Sequence, residues 1–198
     1  MRSEIMLRLR EATRPHHEHM EAVSQSQRLA SGDLSLAEYR QMLIQHYRFH
    51  AWAEPRLATL VTPAGLAYEE RRKVSALRAE LQGLGVDVAA LAAISPVDLP
   101  LDTLPQALGC MYVLEGSTLG GNVIRRTLAQ QPEIAAHTAF QYFGCYGEAL
   151  SERWRDFCAF ATEHLTDEGQ QQAAIASAQA TFTAFAVLFT EVDSFAKA

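Results

Sequence analysis

Three histidines crowd one short segment, Leu9-Arg-Glu-Ala-Thr-Arg-Pro-His-His-Glu-His-Met-Glu21. A neutral imidazole is a common ligand for iron and other transition metals. His16, His17 and His19 follow Pro15 on a segment with helical periodicity, its apolar positions at Ile5, Leu9, Ala12 and Met20. Periodicity does not separate His16 from His17, because both flank that apolar stripe. One of these imidazoles, turned toward the interior of a helical bundle, could coordinate iron. A second chemical feature is made of backbone. Between Tyr112 and Arg125, Gly116, Gly120 and Gly121 interrupt what otherwise reads as one helix. Each helix-interior glycine costs about 1 kcal/mol relative to alanine. Gly116 and Gly120, four residues apart, share a face, and Gly121 lies about 100° round. A face without side chains lets the main chain lie almost flush against another helix or a flat ligand.

Other candidates carry less. His46, His50 and Glu54 are spaced i, i+4, i+8 and could share a helix face as metal ligands, but a polar helix side with stacked imidazoles accounts for them more simply. No glutamate is followed by histidine three residues later, so the paired Glu-x-x-His motifs of a di-iron carboxylate bundle are missing. Cys110, Cys145 and Cys158 are odd in number and form no C-x-x-C pair, which suggests buried free thiols and a cytoplasmic setting. The net charge of −6 leaves no basic stripe for nucleic acid. Arg71-Arg72-Lys73 and Arg125-Arg126 read as small solvated helix faces. The first residues do not form a signal peptide, and no apolar run reaches the roughly 20 residues that cross a bilayer. The expected partners therefore include neither nucleic acid nor membrane.

The elements that must position these groups are helical. Strand and hairpin signals are nearly absent. A first helix spans about residues 3–24, bent or restarted at Pro15 with Thr13 as a plausible cap. Ser35 and Glu38 form a capping-box pattern that opens a second helix running toward Pro55. A third covers about 69–84 and ends at Gly85. Residues 95–105 connect it to the glycine-bearing helix, 104–128. Further helices follow over about 148–165 and 167–195. With 198 residues, 48% of them hydrophobic, the chain fits one all-α multi-helix bundle, a single domain over 1–198.

Read together, the two segments resemble the haem oxygenase family. The histidine segment matches, without gaps, that family's proximal-helix motif L-(K/R)-x-A-T-x-x-x-H-x-x-x-E, which assigns the iron ligand to His17. Glu115-Gly-Ser-Thr-Leu-Gly-Gly121 resembles the distal helix of the bacterial, phytochrome-associated branch. Glu54-Pro55, the segment from Leu77 to Gly85, and Tyr142-x-x-x-Tyr-Gly147 leading to Trp154 extend the likeness over nearly the whole chain. The resemblance implies a haem oxygenase-like bundle in a cytoplasmic bacterial enzyme. Such an enzyme holds haem as both cofactor and substrate, between His17 and a distal wall of Gly116, Ser117, Gly120 and Gly121.

By the same resemblance, the reaction consumes dioxygen and electrons and yields biliverdin, carbon monoxide and ferrous iron. A ferredoxin or reductase would donate electrons, and a phytochrome could accept the biliverdin. Arg10 and Arg155, then Arg14, Arg125 and Arg126, are the candidate cations for the haem propionates, while Arg125 and Arg126 could instead meet an acidic electron donor. Two departures stand out. Ser117 occupies the position where animal members carry an acid that organises distal water, and Met111 stands where many relatives have a propionate-binding tyrosine. A non-catalytic haem carrier or sensor is the alternative on the same fold. An all-α relative without haem, of the thiaminase or quinone-cofactor kind, is a further one.

Overall fold

The computed structural model describes residues 3–23, 26–92 and 99–195, and among them the chain is all-α. In chain order the helices are α1 (Glu4–Val23), α2 (Ser26–Ser31), α3 (Leu36–Val61), α4 (Val74–Gly83), α5 (Leu104–Leu128), α6 (Pro132–Ala135), α7 (Leu150–His164) and α8 (Glu168–Phe195). The glycine-bearing helix α5 has the bounds read from sequence. Thr103 and Gln106 close a capping box at its start, and the glycines are carried within it by packing on either side. The short helix α2 was not anticipated. The first part of the expected 95–105 connector lies outside the described residues.

Two proline expectations change. Pro15 sits inside a continuous α1, and Thr13 is no cap: its hydroxyl donates to Leu9 O at 2.7 Å within the helix. Helix α3 begins at the Ser35–Glu38 capping box as expected but runs through Pro55 to Val61. A helix-interior proline costs about 3 kcal/mol, and burial of Leu57 and Val61 beyond it, both fully inaccessible, offsets that cost. The expected third helix is split into a 3-10 turn, Tyr68–Arg71, and α4. The cause is tertiary. The Glu54 carboxylate of α3 accepts the amides of Lys73 at 2.7 Å and Val74 at 3.1 Å, and so caps α4 from another helix.

Helix α8 is the central support, packed along both α5 and α1. Its stretch Glu168–Phe189, 22 residues with a mean hydropathy of 1.4, is long and apolar enough to span a bilayer by length and composition. That corrects the expectation that no such run exists. Its apolar residues Ala174, Ala178, Phe182 and Phe185 lie in the core with Leu9, Phe49, Leu108 and Phe157, as in a core helix of a bundle. A second core region joins the first half of α3 to α4 through Tyr39, Leu43, Leu77 and Leu81.

The α5–α8 crossing depends on Gly109. A Cβ there would lie 2.0 Å from Ala174 O, a backbone atom with no room to yield. Gly109→Ala is therefore expected to destabilise the fold by about 3 kcal/mol or more, read as a large drop in thermal midpoint or as loss of folded protein.

Candidate functional site

A cavity of about 1530 Å³ opens between α1 and α5 and is bounded further by α3, α7 and α8. On the α1 side it is lined by Met6, Arg10, Thr13, Arg14 and His17, whose spacing puts the charged groups on one helical face. Of the three clustered histidines, His17 lines the cavity, whereas His16 and His19 do not. His16 is half-buried, its Nδ1 without a hydrogen-bond partner. The His17 side chain is 51% exposed, with Nδ1 3.5 Å from Glu21 Oε2. Its ring meets Phe182 edge-on, with centroids 5.5 Å apart. A carboxylate one turn on along the helix is the kind of partner that orients a ligating imidazole and leaves its other nitrogen free.

Across the cavity the glycines of α5 divide the work. Gly116 faces Trp154, whose ring carbons stand 3.8 Å from a hypothetical Cβ, and Gly120 has nothing within 4 Å, only the open cavity. Gly121 lines the cavity too, but what forbids a side chain there is protein: a Cβ would lie 2.4 Å from Phe143 O. Ser117 lines the same wall with its hydroxyl donated to Leu114 O at 2.9 Å.

Arg10, Arg14 and Arg155 all line the cavity, the first two from α1 and the third from α7. Arg125 does not; its side chain packs over the loop at Gly144. Met111 is buried in the core and also lies off the cavity, so it takes no part in the lining, whereas its neighbour Tyr112 does. Phe182, Phe185 and Phe189 supply an aromatic wall from α8. The combination is a slot with apolar walls, the exposed His17 imidazole, and Arg10, Arg14 and Arg155 in a lining that also holds Glu18, Glu21, Glu38 and Glu163; the arginines suit it to a flat apolar ligand with anionic arms.

Sequence reasoning missed what holds α5 in place. Arg71 and Lys73 are not a solvated face; each is 2% exposed. Glu115, the residue before Gly116, accepts from Arg71 Nη1 and Lys73 Nζ, both at 2.8 Å. The Tyr146 hydroxyl lies 2.8 Å and 2.9 Å from its two oxygens. Burial alone would raise the Glu115 carboxyl, but the charges and hydrogen bonds of Lys73 and Arg71 hold it below the usual range. Burial likewise works against Lys73, and Glu115 with Tyr146 overcomes it, so the ammonium sits above its ordinary value. Glu54, which caps α4, also takes His50 Nδ1 at 3.1 Å. His50 and Glu54 thus serve this interior network, while His46 lies against the His50 ring. Among the described residues, no group of three histidine, cysteine or acidic side chains could hold a metal ion. A signal existed in the sequence: charged residues beside apolar Tyr68 and Val74, and a lone acid within the apolar run before Gly116.

His46 lines the cavity, with Nδ1 3.0 Å from the Tyr142 hydroxyl. Burial, and then the neighbouring His50, lower its pKa from 6.5 to about 3. Cys158 also lines the cavity; it and Cys145 are half-buried, and Cys110 is the fully buried thiol.

The Heme oxygenase family model matches residues 3–191 of the chain. This chain belongs to the haem oxygenase family. A haem oxygenase of Xanthomonas campestris pv. campestris (strain 8004) is 38% identical over 160 residues, which is 80% of this chain and 93% of that protein. Among solved structures, the haem oxygenase of Leptospira interrogans superposes with a TM-score of 0.77 at 16% identity, covering 96% of this chain and 100% of that one. The haem oxygenase-1 of the cyanobacterium Synechocystis sp. PCC6803, in complex with haem, gives 0.75 at 16% identity over 98% and 94%. The chain is thus an enzyme of a haem-degrading family, with the all-α fold expected from its sequence.

Two outcomes test the site's electrostatics. Lys73→Ala should destabilise the protein by about 3–5 kcal/mol, measured by denaturant unfolding, because it breaks a buried ion pair. The second concerns His46. Since its folded pKa of about 3 lies below the ordinary 6.5, the unfolded state binds more protons between those values. Its contribution is complete above about 6.5 and is lost progressively as pH falls toward 3. His46→Leu should flatten that acid limb in thermal melts of the haem-free protein.

Proposed function

We propose that this enzyme cleaves haem, with dioxygen and reducing equivalents, to biliverdin, carbon monoxide and ferrous iron, with His17 as the axial iron ligand. The reading rests above all on one juxtaposition: a cavity with the His17 imidazole on one side and the side-chain-free backbone of Gly116 and Gly120 on the other. The residues present fit the group. The slot is lined on both faces, its imidazole has a nitrogen to spare, and three arginines stand in its lining. When bound, haem supplies the iron chemistry and is also the ring that is opened.

The protein's own residues have distinct tasks in this reading. His17 holds the iron, and Glu21 keeps the imidazole oriented through Nδ1. Arg10, Arg14 and Arg155 pair with the carboxylate arms through charge-assisted hydrogen bonds. Gly120, with nothing within 4 Å of a hypothetical Cβ, would leave room for a small gas molecule beside bound haem, and Gly116 would leave Trp154 its place in the same wall. Phe182, Phe185 and Phe189 exclude water from the apolar face of the slot. Arg125 and Arg126, exposed at the far end of α5, are a docking feature for an acidic electron donor such as a ferredoxin or reductase. In the same reading residues 1–198 act as one cytoplasmic domain, and a phytochrome is a candidate acceptor for the biliverdin.

The experiment is haem reconstitution followed by turnover with ascorbate or a reductase system. Wild type should lose its Soret band and gain biliverdin absorbance. His17→Ala should lose the histidine-ligated spectrum and the turnover, while His16→Ala and His19→Ala keep both. The commitment of the Ser117 proton to Leu114 favours, as a second reading, a haem carrier that does not open the ring. Ferrous haem that stays intact under oxygen with adequate electron supply would establish the carrier and rule out the oxygenase.

A further inference from the structure

The two small hydroxyls that α5 turns to the cavity are already committed. A hydroxyl has one proton, and Ser117 Oγ donates to Leu114 O at 2.9 Å and Thr118 Oγ1 to Glu115 O at 2.6 Å. Thr13, on the opposite wall, gives its proton to Leu9 O at 2.7 Å. These oxygens can accept from a ligand or a water, but cannot donate without breaking a helix bond.

The His46–Tyr142 pair is different. Tyr142 belongs to the loop after α6, and the next residue, Phe143, presses its carbonyl against Gly121. The pair therefore stands beside the bare stretch of α5, and both rings line the cavity. A tyrosine hydroxyl brings one donor and a neutral imidazole another, and a single bond between Tyr142 Oη and His46 Nδ1, 3.0 Å apart, uses only one of them. If the hydroxyl donates, His46 keeps Nε2–H; if Nδ1–H donates, the hydroxyl proton is left over. Either tautomer leaves one proton in hand. His46 is half-buried between Phe185 and Phe189, with ring centroids 5.4 Å and 5.2 Å away. These neighbours can use no such donor.

Resting on the haem-binding reading above, we propose that the His46–Tyr142 pair supplies a neutral hydrogen-bond donor to the distal side of the cavity, acting directly or through an ordered water on the ligand at the sixth iron position. It does for this chain what the Ser117 hydroxyl, tied to its own helix, cannot. The pair is fixed from behind: the Tyr142 amide donates to Glu80 Oε2 at 2.9 Å, and Glu80 also takes the Tyr39 hydroxyl. The other titratable groups near the pair are His50 on its own helix, with Glu54, Lys73 and Cys145 behind the loop. A neutral donor orients a ligand without placing a full positive charge over the ring.

The test compares wild type with Tyr142→Phe and His46→Gln after haem reconstitution. Tyr142→Phe keeps the ring and the backbone bond to Glu80. It should move the carbon monoxide stretching band of the ferrous complex to higher frequency. It should also raise the acid–alkaline midpoint of the ferric complex by about half a unit or more, the equivalent of one lost hydrogen bond. Haem affinity should stay within about threefold, because the pair makes no bond to iron or propionate. His46→Gln should shift both signals as well, and it carries the test if Tyr142→Phe does not fold. Bands and midpoints identical to wild type in folded, haem-loaded variants overturn the proposal. A wild type that binds no haem overturns the reading of the cavity itself, an outcome distinguished by the absence of any Soret complex.

Discussion

A helix that leaves its inner face bare has to be held from its outer face. Glu115 does this for α5. Its carboxylate is clamped by Arg71 and Lys73 and touched by Tyr146, one residue from Gly116. Glycine contributes no packing of its own, so the open wall is kept in place by charge-assisted bonds on the far side of the helix. The surrounding charges balance. Arg71 and Lys73 face Glu115, while Glu54 serves the backbone amides that start α4. Buried ion pairs of this kind add little net stability over an apolar substitute. What they provide is a fixed distance between α5 and the loops behind it, and the width of the cavity follows from that distance.

The second constraint is α8. It packs on both walls, α1 and α5, and so decides how far apart they stand. At Gly109 and Ala174 the α5 and α8 backbones meet with no room for a Cβ. Further along, Phe182, Phe185 and Phe189 fill the interval between the same helices. Close contact at one end and large aromatics at the other produce a wedge. Hydrophobic collapse would close a wedge lined only by small residues. Here the aromatic side chains hold it open and supply an apolar face for a flat ligand.

The glycines show why one residue type should not be assigned one job. Gly120 is bare toward open space, Gly116 toward Trp154, Gly121 toward the Phe143 carbonyl and Gly109 toward another helix. One clears the ligand side of the slot, while two let protein backbone come close. An open cavity explains the first kind, and packing explains the last two. The Tyr142–Phe143 loop is brought to the slot only because Gly121 admits it.

Much of this was legible in the chain. Periodicity gave the helices, the Ser35–Glu38 box gave the start of α3, and the resemblance of the His17 and glycine segments to the motifs of haem oxygenases gave the family, which the comparisons then bore out. These are local properties, set by residues a few positions apart. The sequence could not separate His16 from His17 by period, could not tell that Arg71 and Lys73 are interior, and suggested a restart or bend at Pro15 and an end near Pro55, through both of which the helices run on. It also offered Arg125 as a site cation, although the chain packs that side chain over Gly144. Each of these depends on partners distant in the chain, or on which side of a helix the cavity opens. A residue's type sets what it can do, but its desolvation and its neighbours decide what it does, and those exist only once the helices have packed.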